Sequence, residues 1–124
     1  MKIKFVKMQS LGNDFLIINQ DSPNTDLSRL SLTDFRFLAD RKLGIGADQI
    51  LLLKKIEDRA SSVFEYRIIN ADGNEVEQCG NGARCVFKFI KDNNLFSGDK
   101  ITLASISGLI NVREIRDNLI QAEM

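Results

Sequence analysis

The sequence predicts an α+β fold: a curved, barrel-like, mainly antiparallel sheet wrapped around a central helix, in one domain spanning 1–124. Three observations predict it. Residues 80–92 read as a helix with apolar Ala83, Cys85, Val86, Phe87, Phe89 and Ile90, and with a narrow polar stripe of Arg84, Lys88 and Lys91. A helix apolar over most of its circumference must be surrounded on most sides. The rest of the chain is built mainly of short strand patterns, and such strands surround a helix when their sheet curls strongly. Finally, 124 residues with 44% apolar content suit one domain with its own core.

Taken in order, residues 2–8 and 14–20 read as strands around Leu11-Gly12-Asn13, with Lys2, Lys4 and Lys7 alternating with Ile3, Phe5 and Val6. The only proline, Pro23, lies in the loop Asp21-Ser22-Pro23-Asn24. Ser31 or Thr33 caps a short helix over about 33–42, with Phe35, Leu38 and Ala39 as its apolar face and Arg41 and Lys42 in its last turn. Leu43-Gly44-Ile45-Gly46 ends that helix and turns the chain. Strands follow at 48–56 and 63–70, the second with Phe64, Tyr66 and Ile68 on one face. After the central helix come strands near 100–106, 109–116 and 118–124, with turns at Ser107-Gly108 and Asp117-Asn118. The end at Met124 reads as a domain edge.

Composition excludes several functions. Lys plus Arg equals Asp plus Glu at 17 each, with no His, so there is no electrostatic footprint for nucleic acid and no dense basic patch for a membrane surface. The basic N-terminus lacks the long apolar run of a signal peptide, and Leu51-Leu52-Leu53 is far too short to span a bilayer. Two cysteines without a signal peptide point to a reducing compartment, here the cytoplasm. Cys79 and Cys85 project differently if both lie at one helix, which argues against a disulfide between them. With no His and no Cys-x-x-Cys pair, no zinc site is expected.

The most informative stretch runs from Asn70 to Arg84 and contains Cys79-Gly80-Asn81-Gly82. A thiol at a glycine-rich helix N-terminus is made acidic, because unpaired N–H groups and the positive end of the helix dipole favour the thiolate. The same N–H groups can hold a carboxylate beside the sulfur. One stretch therefore offers both a reactive atom and an anion site.

Three motifs carry a family resemblance. Met8-Gln9-Ser10-Leu11-Gly12-Asn13-Asp14-Phe15, then Ala39-Asp40-Arg41-Lys42-Leu43-Gly44-Ile45-Gly46-Ala47-Asp48-Gln49, then Asn70 to Cys85 resemble motifs of the diaminopimelate epimerases. The resemblance covers nearly all of this chain and about half of the family's protein. It implies two similar domains, each a curved sheet around a helix, with the site in the cleft between them and one cysteine from each. This chain resembles the first domain, so a missing C-terminal domain is implied as partner. The implied reaction converts LL- to meso-diaminopimelate, for lysine and peptidoglycan precursor synthesis, without pyridoxal phosphate or any other cofactor. By the same resemblance Cys79 is the catalytic residue. Asn13, Gln49 and Asn70 contact substrate through their amides, and the Gly80 and Asn81 N–H groups bind its carboxylate. Asn74 stands where the family usually has serine, Ser10 where it has glycine, and Lys42 where it often has histidine.

Plainer readings stand beside these. Cys85 is a core residue, and Gly80-Asn81-Gly82 taken alone is a helix start. Gly80-x-Gly82-x-x-Cys85 lacks the third glycine of a dinucleotide loop, and Gly44-x-Gly46 is a turn. Asn13 also reads as a turn residue with positive φ, and Asn70 and Gln49 as structural hydrogen-bonders. Asp72 and Glu75 read as turn and cap residues, Arg84 as structural, and Lys88 and Lys91 as a solvated stripe. With one cysteine of a pair, the chain alone is expected to be inactive. The rival readings are a shortened paralogue that dimerises as a binding or regulatory module, and a related isomerase of another substrate. A homodimer is the expected assembly, through an exposed apolar face.

Overall fold

A computed structural model describes residues 4–10, 12–21, 30–56, 62–76, 80–106, 108–116 and 119–123. The strands are β1 (Val6–Ser10), β2 (Asn13–Asn19), β3 (Gln49–Lys55), β4 (Val63–Asn70), β5 (Glu75–Val76), β6 (Lys100–Ser105), β7 (Gly108–Arg116) and β8 (Leu119–Glu123). The helices are α1 (Leu32–Ala39) and α2 (Gly80–Asp92). The eight strands form one sheet in the order β1-β2-β3-β4-β6-β7-β8, with β5 paired to β4. Only β2 with β3 and β4 with β6 run parallel; the other pairs are antiparallel. The sheet curls around α2, which touches β1, β2 and β3 as well as β7 and β8 across the sheet. This is the expected central helix in a curved, mainly antiparallel sheet.

Side-chain alternation explains why the middle of the sheet is so apolar. Phe15, Ile17, Leu51, Leu53, Phe64, Tyr66 and Ile68 point inward to Ala83, Val86, Phe87 and Ile90 of α2. Leu16, Ile18, Ile50, Leu52 and Ile69 point outward, beneath Phe35 and Ala39 of α1. Strands covered on both faces carry continuous apolar runs, as Phe15–Ile18 and Ile50–Leu53 do. Cys85 is 4% exposed within the α2 core, as its plain reading expected.

Several expected boundaries need correction. The first strand is Val6–Ser10, not 2–8, because its pairing with β2 runs on to Ser10↔Asn13, with Gly12 at φ 89. Residues 1–3 lie outside the described residues. Helix α1 begins at N-cap Ser31, whose side chain accepts from Asp34 N–H while the Asp34 carboxylate accepts from Ser31 N–H. It stops at Ala39, short of Arg41 and Lys42, because Asp40 is extended and its carboxylate accepts the N–H groups of Lys42 and Leu43. The chain then folds back against the helix. The N–H groups of Ile45 and Gly46 both reach Leu38 O, and a Cβ on Gly44 would collide with Phe37 O.

Helix α2 spans the expected 80–92 and ends in a Schellman motif. Asn94 at φ 55 donates to Lys91 O, and Leu95 donates to Ile90 O. Lys91 is less solvated than expected, since its Nζ donates to Ser97 O and Gly98 O. The two-residue β5 gave no readable sequence signal. Among the described residues, no helix is long and apolar enough to cross a membrane.

Candidate active site

Helix α2 has a defined direction along the sheet. Phe89 near its C-terminus, with Asn93 and Leu95 just beyond it, shares a groove with Val6 and with Ile17 and Asn19 of β2. Thirteen helical residues and seven strand residues both span about 20 Å, so the start of α2 lies toward Asn13, the first residue of β2.

That end of the sheet also carries the three amides singled out in the sequence. In the parallel pair β2 and β3, Phe15 is partnered with Gln49; in the antiparallel pair β3 and β4, Gln49 is partnered with Asn70. Asn13 precedes Phe15 by two residues, Gln49 precedes Leu51, and Asn70 follows Ile68. Phe15, Leu51 and Ile68 all face α2. Period-two alternation therefore sets all three amides on the α2 side of the sheet, at its polar rim, and each is partly buried.

Gln49 Nε2 donates to Asn70 Oδ1 at 2.9 Å. This bond spends one polar atom of each amide and holds the pair rigid. Gln49 Oε1 and Asn70 Nδ2 make no hydrogen bond among the described residues, which leaves one acceptor and one donor side by side. Asn70 is further tied by its own turn. Its N–H donates to Asn74 O, its carbonyl accepts from Gly73 N–H, and Asp72 Oδ1 accepts from Asn74 N–H at 2.8 Å. The Asn74 N–H bond holds the Asp72 carboxyl below its usual range and makes it a turn residue, as read. Glu75 is not a cap. It sits in β5 and accepts from Arg67 at 2.9 Å. Asn13 is not a positive-φ turn residue either, since Asn94 is the one described non-glycine residue there.

Gly80 and Asn81 form the first turn of α2, where backbone N–H groups point out of the helix end without intrahelical acceptors. That first turn holds no acidic side chain. Cys79, the residue before Gly80, lies outside the described residues.

The structure also shows a charged cluster that sequence reading missed. Asp14, only 8% exposed, is the one buried charged residue among those described. Arg41 donates to both of its carboxylate oxygens at 2.9 Å and also reaches Asp48 at 3.1 Å. Asp48 N–H donates to Asp14 Oδ1 at 2.7 Å, and Asp14 N–H donates to Asp48 Oδ2 at 3.0 Å. Lys7 Nζ stands 3.6 Å from Asp14. The Arg41 guanidinium, aided by the Asp48 N–H, holds the Asp14 carboxyl far below the usual carboxylate range, and Arg41 is in turn held more firmly protonated. All three residues lie inside the motifs quoted above. Their pairing is not legible in the sequence, where the helical pattern of Phe35, Leu38 and Ala39 continues into Arg41.

Comparison with known proteins shows what this chain is similar to. The family described as diaminopimelate epimerase matches residues 5–124. A diaminopimelate epimerase of Thioalkalivibrio sulfidiphilus is 44% identical over 124 residues, covering 100% of this chain and 44% of that protein. One of Nitrosospira multiformis is 50% identical over 110 residues, covering 89% of this chain and 38% of that protein. The chain thus spans less than half the length of these relatives. Among solved structures, a probable proline racemase from Agrobacterium radiobacter K84 superposes with a TM-score of 0.74 at 16% identity, over 99% of this chain and 42% of that one. A methylitaconate-delta-isomerase gives 0.71 at 14% identity, over 96% and 36%. These two show a shared fold. The match over residues 5–124 places this chain in the diaminopimelate epimerase family.

Proposed function

We propose that this chain forms one wall of a cofactor-independent site that epimerises LL-diaminopimelate to meso-diaminopimelate, with Cys79 as the acid–base group of that wall. The observation that carries the reading is the convergence of Asn13, Gln49 and Asn70 on the α2 side of the sheet, at the end where α2 begins. Cys79 immediately precedes that helix in sequence. An amino acid bound there would meet Gln49 Oε1 as acceptor for its ammonium group and Asn70 Nδ2 as donor to a carboxylate. The N–H groups of Gly80 and Asn81 would stabilise charge developing on the α-carboxylate.

The chemistry needs two sulfurs. A thiolate on one face takes the α-proton and becomes a thiol, leaving the electron pair on the α-carbon. A thiol on the opposite face gives its proton to that carbon and becomes a thiolate, so configuration inverts and protons balance. Cys85, buried in the α2 core, is not available for the second role. The second cysteine must come from a further domain, and the chain alone is expected not to complete the cycle. Such an enzyme serves lysine and peptidoglycan precursor synthesis in the cytoplasm.

The test follows loss of the α-proton signal of LL-diaminopimelate in D₂O by NMR, with Cys79→Ala as control. The chain is measured alone and after a separately made C-terminal domain from a relative is added. Exchange that requires both Cys79 and the added domain supports the reading. Exchange that survives Cys79→Ala, or none after complementation, sinks it.

A further inference from the structure

We propose that Asp14, Arg41 and Asp48 form a clasp that positions the amides of Asn13 and Gln49 at the rim of the sheet. The inference rests on the reading that these amides face the substrate, and it assigns the clasp residues a role that the site itself does not explain.

The argument starts from chain neighbours. Asp14 directly follows Asn13, and Asp48 directly precedes Gln49. The clasp therefore grips the backbone one residue away from each amide. Its bonds are reciprocal, since each aspartate accepts from the other's N–H while Asp48 N–H also lies 3.1 Å from Asp14 O. Arg41 bridges both carboxylates from the loop between α1 and β3.

Strand direction makes such a device necessary. Antiparallel neighbours joined by a tight turn inherit their register from the turn. Strands β2 and β3 are parallel, and the connection between them runs through α1. No turn sets the separation of Asn13 and Gln49. The clasp supplies that constraint with a planar fork that fits two carboxylates in one arrangement. Asp14 points to the outer side of β2, away from the amides, so the clasp constrains them through the backbone without occupying their side of the sheet.

The experiment records side-chain amide resonances of the 124-residue chain by ¹⁵N NMR, in the parent and in Arg41→Gln, Arg41→Lys and Asp48→Asn. Arg67→Gln, which breaks the ion pair with Glu75, serves as control. In Arg41→Gln the dispersed Asn13 and Gln49 resonances should be lost or collapse toward solvent-exposed positions. The Asn93 amide, bonded to Phe89 O at the far end of α2, should stay in place. Arg41→Lys keeps the charge without the fork and should rescue only partly, while Arg67→Gln should move neither amide. If Arg41→Gln does not fold, Arg41→Lys and Asp48→Asn carry the test. Unmoved Asn13 and Gln49 signals in a destabilised clasp variant would make the cluster a plain staple and overturn the proposal. So would equal shifts at Asn93. The readout needs no ligand, so it separates from the substrate reading. That reading fails if Asn13→Ala and Gln49→Ala leave the complemented D₂O exchange unchanged, whatever the clasp does.

Discussion

Replacing Asp14 by Asn tests how much the buried carboxylate contributes to the fold. Asp14 Oδ1 accepts from Asp48 N–H and one Arg41 nitrogen, and Oδ2 accepts from the other. An asparagine side chain can keep the Oδ1 contacts, but its Nδ2 then faces Arg41 Nη1 and, further off, Lys7 Nζ, donor against donor. One charge-assisted hydrogen bond is lost from a side chain that is only 11% exposed. Hydrogen bonds to charged groups contribute about 1.5–3 kcal/mol, so Asp14→Asn should cost about 2–3 kcal/mol at pH 7. For a domain of this size that lowers Tm by about 6–15 °C. The pH dependence has a definite sign. The folded carboxyl is held below its unfolded value of about 3.9, so the Asp14 contribution is complete above that pH and fades as the pH falls toward the folded value. Thermal melts of both chains between pH 7 and pH 2 should show a constant gap above about pH 4 that narrows below it. A gap under about 0.5 kcal/mol at pH 7, which is ordinary for surface changes, would refute the reasoning. So would a gap indifferent to acid.

Further expectations follow from packing. Leu51 is 0% exposed between the central strands and α2, so Leu51→Ala should cost about 2–5 kcal/mol by urea unfolding with an unchanged m-value. A loss below about 1 kcal/mol would mean that this core is loosely packed. Gly73 holds φ 91, and a Cβ there would lie 2.7 Å from Leu32 O and from Arg36 Cγ. Gly73→Ala should cost about 1–2 kcal/mol from backbone strain alone and shift the Asn70 amide resonance. A variant as stable as its parent, with Asn70 unmoved, contradicts that. Cys85, 4% exposed, should resist alkylation in the native chain and react on unfolding in urea, read by mass spectrometry. Modification of Cys85 at the native rate of an exposed thiol would show that the α2 core opens readily.

The parts legible in sequence share one property: their signal is local or periodic. Helix α2 could be placed at 80–92 because its apolar residues wrap most of its surface and a glycine run opens it. Phe15–Ile18 and Ile50–Leu53 could be read as strands from their apolar runs, and Phe35, Leu38 and Ala39 as a helix face, but not that this helix covers the outer face of those strands. The missed features depend on partners distant in sequence. Arg41 looked like the last turn of a helix, since the pattern of Phe35, Leu38 and Ala39 continues plausibly into it. What ends the helix is Asp40 capturing two N–H groups, and what draws Arg41 aside is Asp14, 27 residues earlier. The short β5 exists only because β4 offers it an edge.

The sequence by itself determined the central helix, the shared face of Phe64, Tyr66 and Ile68 and the motifs that mark the family, because burial period and helix-start chemistry are written in neighbouring residues. Only the tertiary structure decided which amides meet. Gln49 and Asn70 are 21 residues apart, and antiparallel pairing makes them hydrogen-bonded partners. Parallel pairing of Phe15 with Gln49, whose register no local signal encodes, sets Asn13 on the same face, and Asp14, Arg41 and Asp48 link the two strands one residue away. Contacts across a sheet depend on register, and register is set by the balance of the whole core.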